Sequence, residues 1–338
     1  MWRIGIIGAG HYGEAHAQAI AQLDDAVLVA ASRTNAEALA AFTARYGGVG
    51  YTDYAQLLND PAVDVVVIAT PHHLHTHVAI EAARAGKHIL LEKPMAPTLP
   101  ECQQIADAAH EAGVSLMLGH VNHFAPAYVA AKAILDSGEM GEVVLGTATM
   151  QKQWMEPNRR SWHLDRAEGG GVWMTVGVHP LDRMTWLINA PVTSVAAQLS
   201  TRFYDQAADD AGMVFLRYAN GAAGTVVSVG YADGAPKHLT ELVCTRGTLN
   251  VEYAAGVQIG RGDTWRTVPE SVPKGDWMDA ALVGEWQGFL HALDTGTPPP
   301  VPPDFALHIM QIMFAAEESS ASRREIPIEP AWHPPERA

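Results

Sequence analysis

The segment RIGIIGAGHYG, residues 3–13, decides the fold of the first part of this chain. An apolar run leads directly into glycines at positions 8, 10 and 13, and an amphipathic stretch follows. In such a strand–loop–helix unit, the first glycine permits a tight turn and the second lets the backbone approach a pyrophosphate. The third glycine lets helix and strand pack closely. The helix N-terminus adds N–H groups and partial positive charge that favour phosphate, so the segment predicts a dinucleotide-binding loop.

Outward from this loop, short apolar runs alternate with amphipathic stretches. Strands that alternate with helices form right-handed βαβ units and hence a parallel sheet. The apolar runs hardly alternate with polar residues, as expected for strands covered on both faces. The predicted strands are 3–7, 27–31, 63–69, 88–91 and 116–118, and the predicted helices are 12–23, 35–46, 74–85 and 99–112. We therefore expect an α/β Rossmann domain over residues 1–122.

The pattern changes from about residue 143. Strand patterns at 213–218 and 223–231 flank Asn220-Gly221, a dipeptide that readily adopts the positive φ angles of a hairpin turn. These predict an α+β domain with a large, mostly antiparallel open sheet over residues 123–338. Further strands are predicted at 192–201, 240–245, 248–253 and 257–259, and helices at 280–294 and 305–322. Because an apolar strand face left in water is a pairing site, we expect a homodimer or homotetramer formed through this sheet.

Composition excludes several classes of partner. The 338 residues include 22 Lys and Arg against 37 Asp and Glu, a formal net charge of −15, which argues against nucleic-acid binding. No apolar run approaches the roughly 18 residues of a membrane helix, so no membrane association is expected. The first residues lack the apolar core of a secretory leader, and Cys102 and Cys244 have neither metal nor disulfide spacing. We therefore expect a cytoplasmic protein.

Ser32-Arg33-Thr34 follows the second predicted strand. NAD-binding domains of this kind normally carry an Asp or Glu there, which accepts a hydrogen bond from the ribose 2′-OH. Without that carboxylate a 2′-phosphate is not repelled, and Arg33 can add a charge-assisted contact while Ser32 and Thr34 donate hydroxyls. The alternative is that Arg33 is only a solvated surface residue. The segment predicts NADP as the preferred cofactor, with NAD possible.

Further motifs follow in a definite order. They are Thr70-Pro71-x-x-x-His75, GKHILLEKP over residues 86–94, Gly169-Gly170-Gly171 ahead of His179, and Glu318-Ser319. Together with the glycine loop, this set resembles the Gfo/Idh/MocA family of NAD(P)-dependent sugar and polyol dehydrogenases over nearly the whole chain. The resemblance implies a Rossmann domain followed by a substrate-binding domain, with the active site between them. It also implies hydride transfer between NADP(H) or NAD(H) and a hydroxyl or carbonyl carbon of a sugar, polyol or glycoside.

The resemblance places catalysis on Lys93 and His179. In the family, the lysine of the EKP motif lies near the nicotinamide and the reacting hydroxyl, where an amine can exchange a proton as hydride leaves the same carbon. The family's D-x-x-x-H pattern supplies a histidine that contacts substrate. Here His179 matches, but Thr175 stands at the aspartate position and cannot hold a negative charge beside an imidazolium. Either Lys93 and His179 handle the proton alone or Asp182 assists.

The predicted cofactor contacts lie in the glycine loop, after the second strand, in the TP-x-x-x-H segment and in the EKP motif. They are Gly8, Gly10, His11, Tyr12, Gly13, Ser32, Arg33, Thr34, Thr70, Pro71, His72, His75, Glu92 and Lys93.

Substrate contacts are expected from a long segment without helical periodicity, residues 151–168, because loops of this length often bind ligands. Its aromatic planes suit a sugar, and its arginines suit a carboxylate or phosphate. Many relatives carry an arginine where this chain has His123. The predicted substrate contacts are His123, Trp162, His163 and Thr175.

Two other functions remain open from the sequence. The histidine-rich run 72–77 contains the H-x-H pattern that supplies two imidazoles to zinc in a metal-dependent hydrolase. Thr175 in place of aspartate is compatible with a noncatalytic NADP-binding sensor or adaptor. The retention of both Lys93 and His179 favours the dehydrogenase.

Overall fold

A computed structural model describes residues 1–157 and 159–334. The chain forms two compact units, one of residues 1–121 and 281–306, the other of residues 122–280 and the segment from 307 onward. The predicted division into 1–122 and 123–338 differs mainly in residues 281–306, which belong to the first unit. Trp286 of this segment is fully buried and donates its indole N–H to His16 Nδ1 at 3.1 Å. No pattern in the sequence indicates that the chain returns to the first unit at residues 281–306.

In the described part of the chain, the first unit contains a six-stranded parallel sheet. Its elements are β1 (Trp2–Ile7), α1 (His11–Ile20), β2 (Ala26–Ser32), α2 (Ala36–Tyr46), β3 (Val49–Tyr51), α3 (Tyr54–Leu58), β4 (Val65–Ile68), α4 (His75–Arg84), β5 (His88–Glu92), α5 (Leu99–Ala112) and β6 (Leu116–Gly119). The strand order is β3-β2-β1-β4-β5-β6, which confirms the predicted Rossmann domain.

The strands of this sheet are buried on both faces, as their sequences predict. All four residues of β4 have no exposed surface, and neither do Ile4 and Ile6 of β1. The sequence pattern missed β3 and α3, because a strand of three residues with an exposed Val49 is too short to show a period. At the carboxyl edge of the sheet, each central strand ends in a loop that carries predicted site residues.

The second unit contains a nine-stranded sheet within the described residues. Its elements are α6 (Pro126–Asp136), β7 (Val143–Gln153), α7 (Val178–Ile188), β8 (Val192–Ser200), β9 (Ala211–Tyr218), β10 (Ala223–Tyr231), β11 (Lys237–Cys244), β12 (Gly247–Glu252), β13 (Gly256–Arg261), β14 (Thr264–Val268) and β15 (Ile326–Pro327). The order is β14-β13-β12-β11-β7-β10-β9-β8-β15, and only β7 and β10 pair in parallel. The predicted, mostly antiparallel sheet is confirmed, although α6, α7, β7, β14 and β15 were not predicted.

Two long helices, α8 (Trp277–Thr295) and α9 (Pro303–Ser322), complete the fold. Both were predicted, with starts two or three residues too late. Over the part of the chain that the structure describes, no helix has the length and apolar character needed to cross a bilayer.

The two faces of the large sheet differ along β9, where burial alternates strictly. Val214, Leu216 and Tyr218 are buried, whereas Met213 and Phe215 are 57% and 37% exposed. Leu145 of β7 and Val243 of β11 pair directly and are also exposed. The exposed face therefore carries apolar side chains on several neighbouring strands.

His308 of α9 is a buried histidine at the edge of the second unit's core. Its Nε2 accepts the backbone N–H of Val192 at 2.9 Å, and its Nδ1 lies 3.3 Å from Gln311 Oε1. The ring stacks on Trp332 at a centroid distance of 6.1 Å. Burial lowers the pKa of His308 to about 4, since the charged ring would lose its hydration and the acceptor at Nε2.

The lowered pKa of His308 predicts that the folded protein loses stability in acid. The unfolded chain takes up a proton near the ordinary pKa of 6.5 and the folded chain near 4, so the free energy of unfolding falls as pH is lowered through that window. The loss is expected to reach on the order of 3 kcal/mol at the lower end. Chemical denaturation between pH 7 and about 4 measures it, with His308→Gln expected to flatten the curve and the exposed His291→Gln as the control. Superimposable curves for His308→Gln and wild type would contradict the assignment.

Candidate active site

The glycine loop after β1 has the geometry that a dinucleotide requires. Gly8 adopts φ +98°, and a Cβ there would lie 2.5 Å from the Ala69 carbonyl oxygen. A Cβ on Gly13 would lie 2.4 Å from the Gly8 carbonyl oxygen, whereas at Gly10 no atom lies within 4 Å of that position. Gly10 is the N-cap of α1 and has no side chain to cap the helix. Backbone atoms therefore pack closely against Gly8 and Gly13, whereas the space beside Gly10 is open. The helix N-terminus next to this space suits a pyrophosphate.

The end of β2 is joined to this loop. The Ser32 carbonyl oxygen accepts the N–H groups of Gly8 and Ala9, each at 3.0 Å, and the Ser32 side chain is buried. Arg33 donates from Nη1 to the Ala9 carbonyl oxygen at 3.0 Å. Its guanidinium is therefore held at the glycine loop and is not merely solvated, while Thr34 is exposed.

The segment after β4 begins with Thr70 and Pro71 and continues into a short 3₁₀ helix, His72–Leu74. His75 is fully buried with Nδ1 3.0 Å from the Pro94 carbonyl oxygen and Nε2 3.0 Å from that of Thr70. Burial lowers the pKa of His75, which favours the neutral ring. A neutral ring has one N–H, so His75 donates to one of these two carbonyl oxygens and lies against the other, between the loop after β4 and the loop after β5.

The histidine-rich run does not converge on a metal position. His72 is buried with its ring 5.6 Å from that of His75, but His77 is exposed and lies 3.3 Å from Glu81. Among the described residues, the groups close enough to share a metal ion are instead His16, Glu92 and Glu285. The run therefore lends no support to the hydrolase.

Glu92 ends β5, and Lys93 follows it at the carboxyl edge. Lys93 is partly buried, its backbone N–H lies 3.3 Å from Glu92 Oε2, and the Lys93–Pro94 peptide bond is cis. His16 Nε2 lies 3.0 Å from Glu92 Oε1. The carboxylate beside Lys93 is thus held from both sides.

The His16 hydrogen bonds decide whether this cluster binds a metal ion. The Trp286 indole can only donate, so His16 Nδ1 accepts and the ring proton lies on Nε2, facing Glu92. A metal-bound Nε2 would need the proton on Nδ1, where it would face the indole N–H. The neutral ring therefore presents no lone pair to a metal ion. His16 instead donates its Nε2–H to Glu92 and so orients the carboxylate of the EKP motif.

In the second unit, a π-helix (Trp173–Gly177) carries Thr175 of the D-x-x-x-H pattern and runs directly into α7, which carries His179. Thr175 is buried and His179 is partly buried. Gly171 adopts φ +100°, and Asp209 accepts the Trp173 N–H at 2.7 Å; burial raises the pKa of this carboxyl to about 7. Local π-helical turns are frequent at functional sites, because they re-aim side chains.

His123 is buried between an acid and an aromatic ring. Its Nε2 lies 2.8 Å from Asp182 Oδ1, and its ring stacks on Trp186 at 4.2 Å with an interplanar angle of 19°. Asp182 has no exposed surface. Asp182 is thus a close partner of His123, the residue that stands where many relatives carry an arginine.

The segment 151–168 is more ordered than a free loop. Trp154 is fully buried and packs with Val172 and Val176. Two of its three arginines are committed to local acceptors, Arg159 to the Trp154 carbonyl oxygen and Glu156, and Arg160 to the carbonyl oxygens of Pro157 and Arg159. The expectation that these arginines suit an anionic ligand has no support in this geometry. Asn158 lies outside the described residues.

Trp162 and His163 form a stacked pair in a 3₁₀ helix, Ser161–Leu164. Their ring centroids are 3.6 Å apart, and the Arg160 N–H donates to His163 Nδ1 at 3.0 Å. Trp162 is partly exposed and His163 is buried. Their predicted contact with a sugar stays a prediction.

Residues 2–120 match an oxidoreductase family with an NAD-binding Rossmann fold, and residues 128–250 match the GFO/IDH/MocA C-terminal domain. The chain belongs to the Gfo/Idh/MocA family. The predicted resemblance is confirmed, and with it the assignment to NAD-binding oxidoreductases.

The chain is similar to relatives that are named as dehydrogenases of an anhydrosugar and of a polyol. Levoglucosan dehydrogenase of Pseudarthrobacter phenanthrenivorans is 31% identical over 286 residues, which cover 74% of this chain and 73% of the relative. Myo-inositol 2-dehydrogenase of Thermotoga maritima is 25% identical over 97% of this chain and 98% of the relative. The solved complex of levoglucosan dehydrogenase with NADH and levoglucosan has a TM-score of 0.88 at 27% identity, covering 96% of this chain and 99% of that one.

Several supporting residues of this Gfo/Idh/MocA member were not found from the sequence. They are His16, Asn122, Asp209, Tyr253 and Trp286. Each lies outside the family motifs and acts through a partner remote in the sequence, such as Trp286 on His16 and Tyr253 on Asn122. Only Asn122, which adjoins the departure at His123, gave a sequence signal.

Proposed function

We propose that this chain transfers a hydride between NADP(H) and a hydroxyl or carbonyl carbon of a sugar, polyol or glycoside. The observation that carries the proposal is the position of Lys93, at the carboxyl end of β5 in the same sheet as the glycine loop after β1. In open α/β sheets, ligands bind at the carboxyl ends of the strands, where the strand order reverses. The NADH and levoglucosan complex of a relative supports the same chemistry.

The dinucleotide supplies or accepts the hydride when it is bound. The loop Gly8–Gly13 and the N-terminus of α1 are the groups that would hold its phosphates, because the position beside Gly10 is open and the helix end is uncapped by a side chain. Arg33 would hold the adenosine end. Thr70, Pro71, His72 and His75 shape the neighbouring loop, where His75 lies between the carbonyl oxygens of Thr70 and Pro94.

Lys93 exchanges the proton of the reacting hydroxyl in this proposal. Its main chain is anchored by Glu92, whose carboxylate is oriented by His16, so the amine extends from a fixed backbone. His179 binds the same oxygen, and Thr175 donates a hydroxyl to the substrate. The proposed contacts from His123, Trp162 and His163 complete the substrate group.

The cofactor preference for NADP over NAD rests on Ser32-Arg33-Thr34. The end of β2 carries no carboxylate that would repel a 2′-phosphate, and Arg33 is held at the glycine loop by Ala9. The cytoplasmic location expected from the sequence stays a prediction.

The test is a dehydrogenase screen of the purified protein with NADP⁺ and NAD⁺ against monosaccharides, inositols, anhydrosugars and glycosides, read as formation of reduced nicotinamide. We expect turnover with at least one cyclic polyhydroxylated compound. Thr175 in place of aspartate keeps a noncatalytic sensor as the second candidate. Tight NADPH binding without turnover of any sugar, polyol or ketone would favour the sensor.

We also propose that the exposed face of the large sheet pairs with the same face of a second copy, giving a homodimer or a tetramer of such dimers. Met213, Phe215, Leu145 and Val243 supply its apolar surface, with exposures of 37–57%. In a two-fold interface each patch meets its own equivalent, so a mutation is introduced on both sides at once.

Met213→Glu combined with Val243→Glu is therefore expected to produce monomers, because it places like charges in an apolar interface. Light scattering at micromolar concentration measures the mass. Val129→Glu is the matched control, since Val129 is 47% exposed but lies on α6 rather than on the sheet. A monomeric wild type would refute the proposed dimer.

A further inference from the structure

A chain of hydrogen bonds runs from His179 to a buried arginine. Asn122 Nδ2 lies 3.4 Å from His179 Nδ1, Tyr253 Oη lies 2.8 Å from Asn122 Oδ1, and Arg183 Nη1 lies 2.7 Å from Tyr253 Oη. Asn122 is 1% exposed, Tyr253 5% and Arg183 0%. The chain is therefore shielded from water from Asn122 to Arg183, while His179 at its other end is partly buried.

The direction of each hydrogen bond follows from the chemistry of its groups. A guanidinium only donates, so the Tyr253 oxygen accepts from Arg183 and its one O–H donates to Asn122 Oδ1. This fixes the amide with its nitrogen toward His179, and an amide nitrogen only donates. Nδ1 of neutral His179 must accept, and its proton lies on Nε2.

The far end of this chain is rigid. The Tyr253 ring stacks on Trp277 at 3.9 Å with an interplanar angle of 9°. Arg183 also donates to Thr240 Oγ1 at 3.0 Å and to the Thr149 carbonyl oxygen at 2.8 Å. Because these acceptors fix the guanidinium, Tyr253 keeps its O–H directed at Asn122. Reversing the Asn122 amide would take Oδ1 away from this O–H and bring it against the His179 backbone carbonyl oxygen, which lies 3.5 Å from Nδ2 and only accepts.

We propose that Asn122 and Tyr253 are positioning residues that hold neutral His179 as the Nε2–H tautomer. A carboxylate partner would do the reverse: it accepts from Nδ1–H and leaves a lone pair on Nε2, which makes the ring a base. With Thr175 at the family's aspartate position and an amide donor on Nδ1, His179 gives a hydrogen bond from Nε2 to the substrate oxygen. The proton of the oxidised hydroxyl then goes to the Lys93 amine, while the hydride goes to the oxidised nicotinamide.

The tautomer of His179 is inferred from hydrogen bonds within the second unit alone, whereas its role toward the substrate rests on the proposed function. Protein labelled with ¹⁵N-histidine gives separate imidazole resonances for protonated and unprotonated nitrogens. Loss of signals in His179→Gln assigns those of His179. In the wild type we expect an unprotonated Nδ1 and a protonated Nε2.

Asn122→Asp is the decisive variant, because it replaces the donor by an acceptor of the same shape. We expect the proton to move to Nδ1 and kcat to fall by about tenfold or more, since Nε2 no longer donates to the substrate oxygen. A protonated Nδ1 in the wild type, or an unchanged tautomer in Asn122→Asp, would overturn the proposal. The predicted tautomer in a protein that turns over no substrate would instead leave the inference on His179 standing and refute the proposed function.

Tyr253→Phe tests the remoter residue, since it keeps the ring stacked on Trp277 and removes only the O–H. We expect a mixture of His179 tautomers, because the Asn122 amide is then free to reverse. Tyr128→Phe is the matched control: its ring lies 5.4 Å from the Arg183 guanidinium, as does that of Tyr253, and its hydroxyl contacts Thr240. It is expected to lower thermal stability without changing the tautomer. Equal tautomer populations in the Tyr253→Phe and Tyr128→Phe variants would exclude Tyr253 from this role.

Discussion

Replacing Lys93 with Met is expected to lower kcat by about 10²–10⁴, the usual range for loss of a general acid–base group. The variant keeps a side chain of similar length at the end of β5 but removes the amine that we propose exchanges the substrate proton. Cofactor binding, measured by calorimetric titration, is expected to change far less, because the glycine loop would hold the phosphates. The drop should therefore appear in turnover.

Two further variants separate chemistry from charge and from stability. Lys93→Arg keeps the positive charge, but a guanidinium does not release its proton, so it is expected to remain slow. Lys274→Met is the surface control, because it makes the same substitution at an exposed lysine outside the predicted site residues. Near-normal turnover in Lys93→Met would remove Lys93 from the mechanism.

The second large effect is expected in cofactor choice. NADP(H) should bind about ten- to a hundredfold more tightly than NAD(H), because a charge-assisted contact to Arg33 contributes roughly 1.5–3 kcal/mol. The net charge of −15 opposes both cofactors and is screened beyond about 8–10 Å, so the local cation decides the difference. Ser32→Asp is expected to reverse the preference by accepting the ribose 2′-OH and repelling the 2′-phosphate.

Calorimetric titration of both cofactors into wild type, Ser32→Asp and Arg33→Met measures this preference. Arg33→Met should weaken NADP(H) binding selectively, whereas Arg45→Met, on the same unit but in the last turn of α2, should leave the ratio unchanged. A wild type that prefers NAD would show that Arg33 makes no contact with a 2′-phosphate.

The Rossmann unit could be predicted almost completely because its signals are local. The apolar runs before residues 8, 33, 69 and 93 are short, continuous and followed by loops with distinctive residues. Glycine is required at positions 8 and 13, because a Cβ there would collide with backbone atoms. The large sheet was predicted less well, since its central strand β7 pairs in parallel with β10 and antiparallel with β11, and such pairing depends on partners far along the chain.

The candidate site likewise contains residues that the sequence predicted and contacts that it did not. Motif spacing predicted Lys93 and His179 as catalytic residues, because their types and positions follow a family pattern. It did not reveal that Trp154 belongs to the core or that Arg159 and Arg160 are occupied by local acceptors. Those outcomes depend on which groups surround a side chain once the chain has folded.

The sequence by itself determined the dinucleotide-binding loop and the two-part architecture and predicted the reactive side chains, since each depends on local sterics, periodicity or residue chemistry. Only the tertiary structure decided their protonation and orientation. Trp286 reaches His16 across 270 positions, and Tyr253 reaches Asn122 across 131. A ring tautomer is set by the donor or acceptor that faces it, and folding alone brings these partners within hydrogen-bond distance.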